Sequence, residues 1–167
     1  MKLPNLSARQ WYALVAVCSS ALIAYGLVLQ FFEGLEPCPL CILQRYAFVL
    51  VALFAGIAAA LSSPRVAHIS RLPAALALLS ALTGAGIATW HIKLQLFPPE
   101  ISSCGPGLAY MLMELPLARA LPRIFQGGGD CTAVDWSFLG LSIPAWALVW
   151  FVLLAVALVM GMRRGSR

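Results

Sequence analysis

Residues 10–32 read QWYALVAVCSSALIAYGLVLQFF, twenty-three positions without a charge, closed by Arg9 on one side and Glu33 on the other. A helix needs roughly 20 apolar residues to cross the hydrocarbon of a bilayer, so this stretch alone predicts a spanning helix. Three more stretches have the same character. Residues 46–64 carry no charge and lie between Arg45 and Arg65; residues 72–92 hold only His91 as an ionisable group, between Arg71 and Lys93; residues 136–162 carry no charge and lie between Asp135 and Arg163. The composition agrees, with 62% hydrophobic and 10% charged residues in 167 and a mean hydropathy of +0.90. Soluble domains hold about 25% charged residues. The expected fold is therefore an all-α integral membrane protein. It is a single membrane domain over 1–167, a four-transmembrane-helix bundle with spans at about 11–32, 42–62, 72–92 and 143–162. The apolar region of the first span exceeds the 7–15 residues of a cleaved signal peptide, so a retained helix is expected.

The net charge of +5 suggests nucleic acid until the charges are placed. They flank apolar spans and form no basic stripe, so no nucleic-acid partner is expected. Four spans put both termini on one side, together with Lys2, Arg9, Arg65, Arg71, Arg163, Arg164 and Arg167. All six acids (Glu33, Glu36, Glu100, Glu114, Asp130 and Asp135) fall on the other. Lys and Arg favour the cytoplasm, so both termini are expected there, with the long segment 93–142 in the periplasm. Residues 107–125, apolar and broken by Pro116 and Pro122, predict a short interfacial helix on the membrane surface. A loop packed on the helix ends is the plainer reading of the same residues.

Five cysteines carry the chemistry. Cys38 and Cys41 stand at the outer mouth of the second span, Cys104 and Cys131 in the long outer segment, and Cys18 inside the first span. A C-x-x-C pair serves redox chemistry or zinc. Pro39 suits the first position of a helix, which makes Cys38 its N-cap and puts Cys41 in its first turn. Free N–H groups and the positive helix end favour a thiolate there, and Arg45 follows one turn after Cys41 on the same face. An arginine near the hydrocarbon boundary is a functional candidate, with snorkelling to the headgroups as the plain alternative. If Cys104 bonds Cys131, the bridge is worth roughly 3 kcal/mol as a structural link. The glycines at 105, 107 and 127–129 instead give the pair flexible surroundings, as labile disulfides have. Zinc is the further alternative for four outer cysteines. The second pair lacks C-x-x-C spacing and an oxidising compartment opposes free thiolates, so no metal site is expected. Cys18 reads as a small buried hydrophobe.

Over nearly its whole length the chain resembles the bacterial disulfide bond formation protein B (DsbB) family. The resemblance is carried by Cys38-Pro39-Leu40-Cys41 with Arg45, by the run from His91 to Cys104 containing Leu94-Gln95-Leu96-Phe97-Pro98, by Gly129-Asp130-Cys131, and by Trp136-Ser137-Phe138-Leu139-Gly140-Leu141 leading to Pro144 and Trp146. It implies a quinone-dependent protein-thiol oxidoreductase of the inner membrane, with redox disulfides Cys38–Cys41 and Cys104–Cys131. The implied partner is a periplasmic thioredoxin-like oxidase, DsbA, whose thiolate attacks Cys104. Cys131 then exchanges with Cys38, and Cys41 passes electrons to a membrane quinone, ubiquinone or menaquinone. The resemblance assigns Arg45 to steadying the thiolate and the quinone oxyanion, and His91 to binding or protonating the quinone. For His91 an interfacial polar anchor is the plain alternative. The competing reading of the whole chain is a membrane protein with a purely structural loop disulfide or a metal-binding cysteine cluster.

Overall fold

The computed structural model describes residues 6–32, 34, 37–62, 69–98, 131–134 and 136–165. The expected interfacial helix at 107–125, and Cys104 with its pairing, lie outside the described residues. Among the described residues there are four helices, α1 (Ala8–Phe32), α2 (Pro39–Leu61), α3 (Arg71–Leu96) and α4 (Ile143–Arg164), each long and apolar enough to cross a membrane. The helices pack round a square in which each touches two neighbours, with α2 and α4 meeting slightly across the diagonal. This is the expected four-span bundle.

The helix ends follow local chemistry. Ser7 and Gln10 form a capping box before α1: the Ser7 N–H donates to Gln10 Oε1 at 2.8 Å and the Gln10 N–H to Ser7 Oγ at 3.3 Å. Cys38 caps α2, with Pro39 in its first turn, as the sequence predicts. The third helix runs on to Leu96. Lys93 does not end it, because its ammonium lies 4.9 Å from the Trp90 ring centroid and its aliphatic stem can snorkel.

Between lipid-facing apolar surfaces there is no hydrophobic force to join helices, so close packing of small residues does that work. The buried face of α3 shows it: Ala74, Ala77, Ala81, Gly84, Ala88 and His91 recur at alternating steps of three and four. The facing stripe of α2 begins with Gln44 and continues through Phe48, Val51, Ala55 and Ala58. Phe151 of α4 fills the space Gly84 leaves and stacks on Phe48, ring centroids 4.0 Å apart. Several hydroxyls within the spans are satisfied internally, whereas the buried Ser19 Oγ of α1 has no hydrogen-bond partner among the described residues. Ser20, Ser80, Thr83 and Thr89 each donate to the carbonyl four residues back, at 2.8–2.9 Å.

The apolar run from Trp136 does not enter the helix at once. Ser137–Phe138 (β1) and Leu141–Ser142 (β2) form an antiparallel hairpin, turned at Leu139 and Gly140, both at positive φ (52° and 77°). A two-residue turn of that kind matches the twist of its strands. Trp146 holds the hairpin on α4 by donating from Nε1 to the Phe138 carbonyl at 3.1 Å.

Candidate active site

The antiparallel order brings the end of α1 and the starts of α2 and α4 to one end of the bundle, with the end of α3. Four of the described arginines collect at the other: Arg9 and Arg71 open α1 and α3, Arg163 and Arg164 close α4. Arg164 there donates to the Leu6 carbonyl at 3.2 Å.

At the first end Cys38 accepts the Cys41 N–H at 3.2 Å, the N-cap bond to the third helical residue. That geometry sets the two sulfurs 2.8 Å apart, both as thiols, a small closure away from a bond of about 2.05 Å. A third sulfur joins them. Cys131, buried like Cys38, hydrogen-bonds the Cys38 thiol. Its segment is placed by Gln95 of α3, which donates from Nε2 to the Ala133 carbonyl at 3.3 Å and accepts the Ser142 hydroxyl at 2.7 Å. Hydrogen bonds with Cys131 and Cys41, then burial, push the Cys38 thiol up, against the pull of the Cys41 N–H.

His91 is buried at 2% exposure, the last residue of the small-residue stripe on α3. Its Nδ1 lies 3.2 Å from Gln44 Nε2 and its Nε2 lies 3.6 Å from Cys38 Sγ. The amide nitrogen of Gln44 only donates, so Nδ1 accepts and the neutral ring carries its proton on Nε2, toward the sulfur. This is an inward, specific placement and not that of an interfacial anchor.

Arg45 turns to α1. It donates from Nη1 to Gln30 Oε1 at 2.5 Å and from Nη2 to the Gly26 carbonyl at 3.0 Å. Both partners belong to protein, so the side chain does not snorkel to headgroups, and with five N–H donors on a guanidinium it keeps others for a ligand.

These groups share one cavity of about 140 Å³. Leu22, Ile23, Leu29, Phe48, Ile143 and Ala147 supply apolar walls, and Cys38, Cys41, Gln30, Gln44, Arg45 and His91 the polar points. An apolar cavity of about 150 Å³ takes a benzene ring, so this cavity has room for one six-membered ring. The site thus gathers Cys38, Cys41, Cys131, Arg45 and His91, and leaves Cys18 in the middle of α1, away from the cavity lining. Sequence reasoning passed over Gln30 and Gln44 and gave Gln95 no role of its own. The signal for Gln30 and Gln44 was a glutamine on an otherwise apolar span, a polar group that must find a partner within the protein.

Residues 8–161 match the profile of the family described as Disulfide bond formation protein DsbB. The Disulfide bond formation protein B of Azoarcus sp. (strain BH72) is 50% identical over 164 residues, 96% of this chain and 97% of the relative. The protein of the same name from Aromatoleum aromaticum is 52% identical over 151 residues, 90% of this chain and 89% of the relative. That from Acidovorax sp. (strain JS42) is 46% identical over 163 residues, 98% and 92% of the two chains. The chain belongs to the DsbB family. It is a multi-pass inner-membrane protein of disulfide bond formation.

Proposed function

We propose that the chain reoxidises a periplasmic thioredoxin-like dithiol oxidase, DsbA, and delivers the electrons to a membrane quinone. In this reading both termini are cytoplasmic and the cysteine end of the bundle is periplasmic. The observation that carries it is the meeting of Cys38, Cys41 and Cys131 beside one cavity that also presents Arg45 and His91.

The partner's thiolate attacks Cys104 of a Cys104–Cys131 disulfide; a mixed disulfide forms and Cys131 leaves as a thiolate. Cys131 attacks Cys38 of a Cys38–Cys41 disulfide and releases Cys41. The partner's second thiol resolves the mixed disulfide, and the freed Cys104 displaces Cys38 from Cys131. The net result is an oxidised partner and a Cys38/Cys41 dithiol, with two electrons and two protons moved inward. A bound quinone supplies the two-electron, two-proton sink that returns Cys38 and Cys41 to the disulfide. Arg45 supplies fixed positive charge at the cavity, where preorganised donors act most strongly on developing charge. His91 holds a proton on Nε2 beside Cys38 and Gln44 holds the ring in that tautomer.

The test is turnover of the detergent-solubilised protein with reduced DsbA and a short-chain ubiquinone, followed by quinone absorbance. Cys38→Ser and Cys41→Ser should each abolish it, and serine at 38 keeps an N-cap oxygen, so α2 still starts there. Cys18→Ala should retain nearly the wild-type rate. Undiminished turnover in Cys38→Ser would refute the reading.

A further inference from the structure

The reduced form of this site has the donor set of a soft-metal centre. Among the described residues, one group of three metal-ligating atoms converges: the sulfurs of Cys38 and Cys41 and a ring nitrogen of His91, all within 4.8 Å of one another. The sequence set zinc aside because the second cysteine pair lacks C-x-x-C spacing. Tertiary structure supplies the missing ligand from another helix.

We propose that the dithiol form of the site binds Zn²⁺ through Cys38 Sγ, Cys41 Sγ and His91 Nε2, and that the bound ion holds the protein out of its redox cycle until it is removed. The proposal rests on the functional reading above only in that the proposed cycle generates two thiols here.

The geometry is close to what zinc requires. Tetrahedral ligation with Zn–S of about 2.3 Å and Zn–N of about 2.0–2.1 Å separates a sulfur from a nitrogen by about 3.6 Å. Cys38 Sγ and His91 Nε2 are 3.6 Å apart. The two sulfurs, 2.8 Å apart, must open to about 3.8 Å on the same geometry. Cys41, in the first helical turn and only partly covered, makes that adjustment and is the side from which an ion enters.

The surrounding residues suit the ion as well. A metal-bound histidine donates its other ring N–H to a neighbouring oxygen, which fixes the ring. Gln44 sits on that nitrogen, buried, at 3.2 Å, and a half-turn of its amide presents Oε1 in place of Nε2. Two thiolates with one imidazole select zinc over magnesium or calcium. No electrons move on binding: two thiol protons and the Nε2 proton, relocated to Nδ1, account for the charge, with two protons released to solvent. The disulfide form lacks the thiolates and has no such site, so zinc acts on the reduced protein alone.

The experiment uses Co²⁺ as a spectroscopic stand-in for Zn²⁺, added to the full-length protein in detergent, reduced anaerobically and freed of lipid-soluble chromophore. Thiolate-to-cobalt charge-transfer bands and tetrahedral ligand-field bands should appear at one ion per chain and vanish when Zn²⁺ is added. The oxidised protein should show neither. Cys41→Ser should lose the charge-transfer intensity from one sulfur and bind at least tenfold more weakly, His91→Ala should also bind at least tenfold more weakly, and Cys18→Ala should match wild type. Cys41→Ser, a near-isosteric change, keeps the test informative should His91→Ala fail to fold. Equal binding by reduced and oxidised protein, or wild-type affinity in Cys41→Ser, would overturn the site. Quinone turnover is read separately. Chelator-reversible inhibition by Zn²⁺ is expected, and turnover that continues at saturating Zn²⁺ would overturn the inhibitory role. A protein that binds Co²⁺ as described but never reduces quinone would refute the proposed function and leave the metal site standing.

Discussion

Arg45 is held by two acceptors on α1, Gln30 Oε1 and the Gly26 carbonyl, and this decides what its replacement does. A lysine can reach one of these oxygens but lacks the planar fork that takes both while facing the cavity. Arg45→Met keeps the apolar stem and removes the charge. If Arg45 acts on bound quinone, kcat/KM for quinone should fall about 10–100-fold, the worth of a hydrogen bond to a charged group at about 1.5–3 kcal/mol. Arg45→Lys should recover part of that loss. Steady-state kinetics over a range of quinone concentrations checks both. Wild-type kcat and KM in Arg45→Met would remove this residue from the site.

At the scale of elements, Gln95 is one tie between the segment after Cys131 and the bundle, through the Ala133 carbonyl and the Ser142 hydroxyl. Gln95→Leu loses both bonds and leaves a part-buried carbonyl without its donor, so Cys131 should sit less often against Cys38. Turnover with DsbA should fall about tenfold or more, at about 1–3 kcal/mol for the lost pairing. Turnover driven by a small dithiol that reduces Cys38–Cys41 directly should fall less. Equal losses by both routes would show that Gln95 does not act through Cys131. Packing between helices gives a second element-level expectation. A Cβ at Gly84 would land on the Phe151 ring, itself stacked on Phe48. Gly84→Ala should therefore destabilise the bundle by about 1–3 kcal/mol, as overpacked cores do. At Gly86 nothing stands within 4 Å of an added Cβ, so Gly86→Ala should be neutral or stabilising by up to about 1 kcal/mol. Thermal unfolding of the two variants in detergent distinguishes them.

For the whole molecule, the antiparallel order puts Arg9, Arg71, Arg163 and Arg164 at one end and Cys38, Cys41 and Cys131 at the other. Positive residues stay on the cytoplasmic side, so the cysteine end should face the periplasm. A reporter active only in the periplasm should work when fused after Gly128 and fail when fused after Arg167. The reverse pattern would invert the proposed orientation and place the thiols in a reducing compartment.

Four spans were legible from the chain because lipid tolerates few charges, and an uncharged run of about 20 residues has few other uses. The start of α2 was legible too, since proline and an N-capping side chain act through neighbours in sequence. The same holds for Cys38, Cys41 and Arg45 as candidates, one turn apart on one helix. Only the tertiary structure brought Cys131 to Cys38, turned Arg45 onto Gln30 and Gly26, and set Gln44 on His91, because each contact joins residues from different elements whose pairing depends on how the helices dock. The hairpin at 137–142 was hidden for a related reason. Its residues are uncharged like the span that follows, and what separates them is a turn at Leu139-Gly140 held by Trp146. Hydropathy marked where the chain enters the membrane; packing of small residues against Phe48 and Phe151 decided which polar side chains meet there.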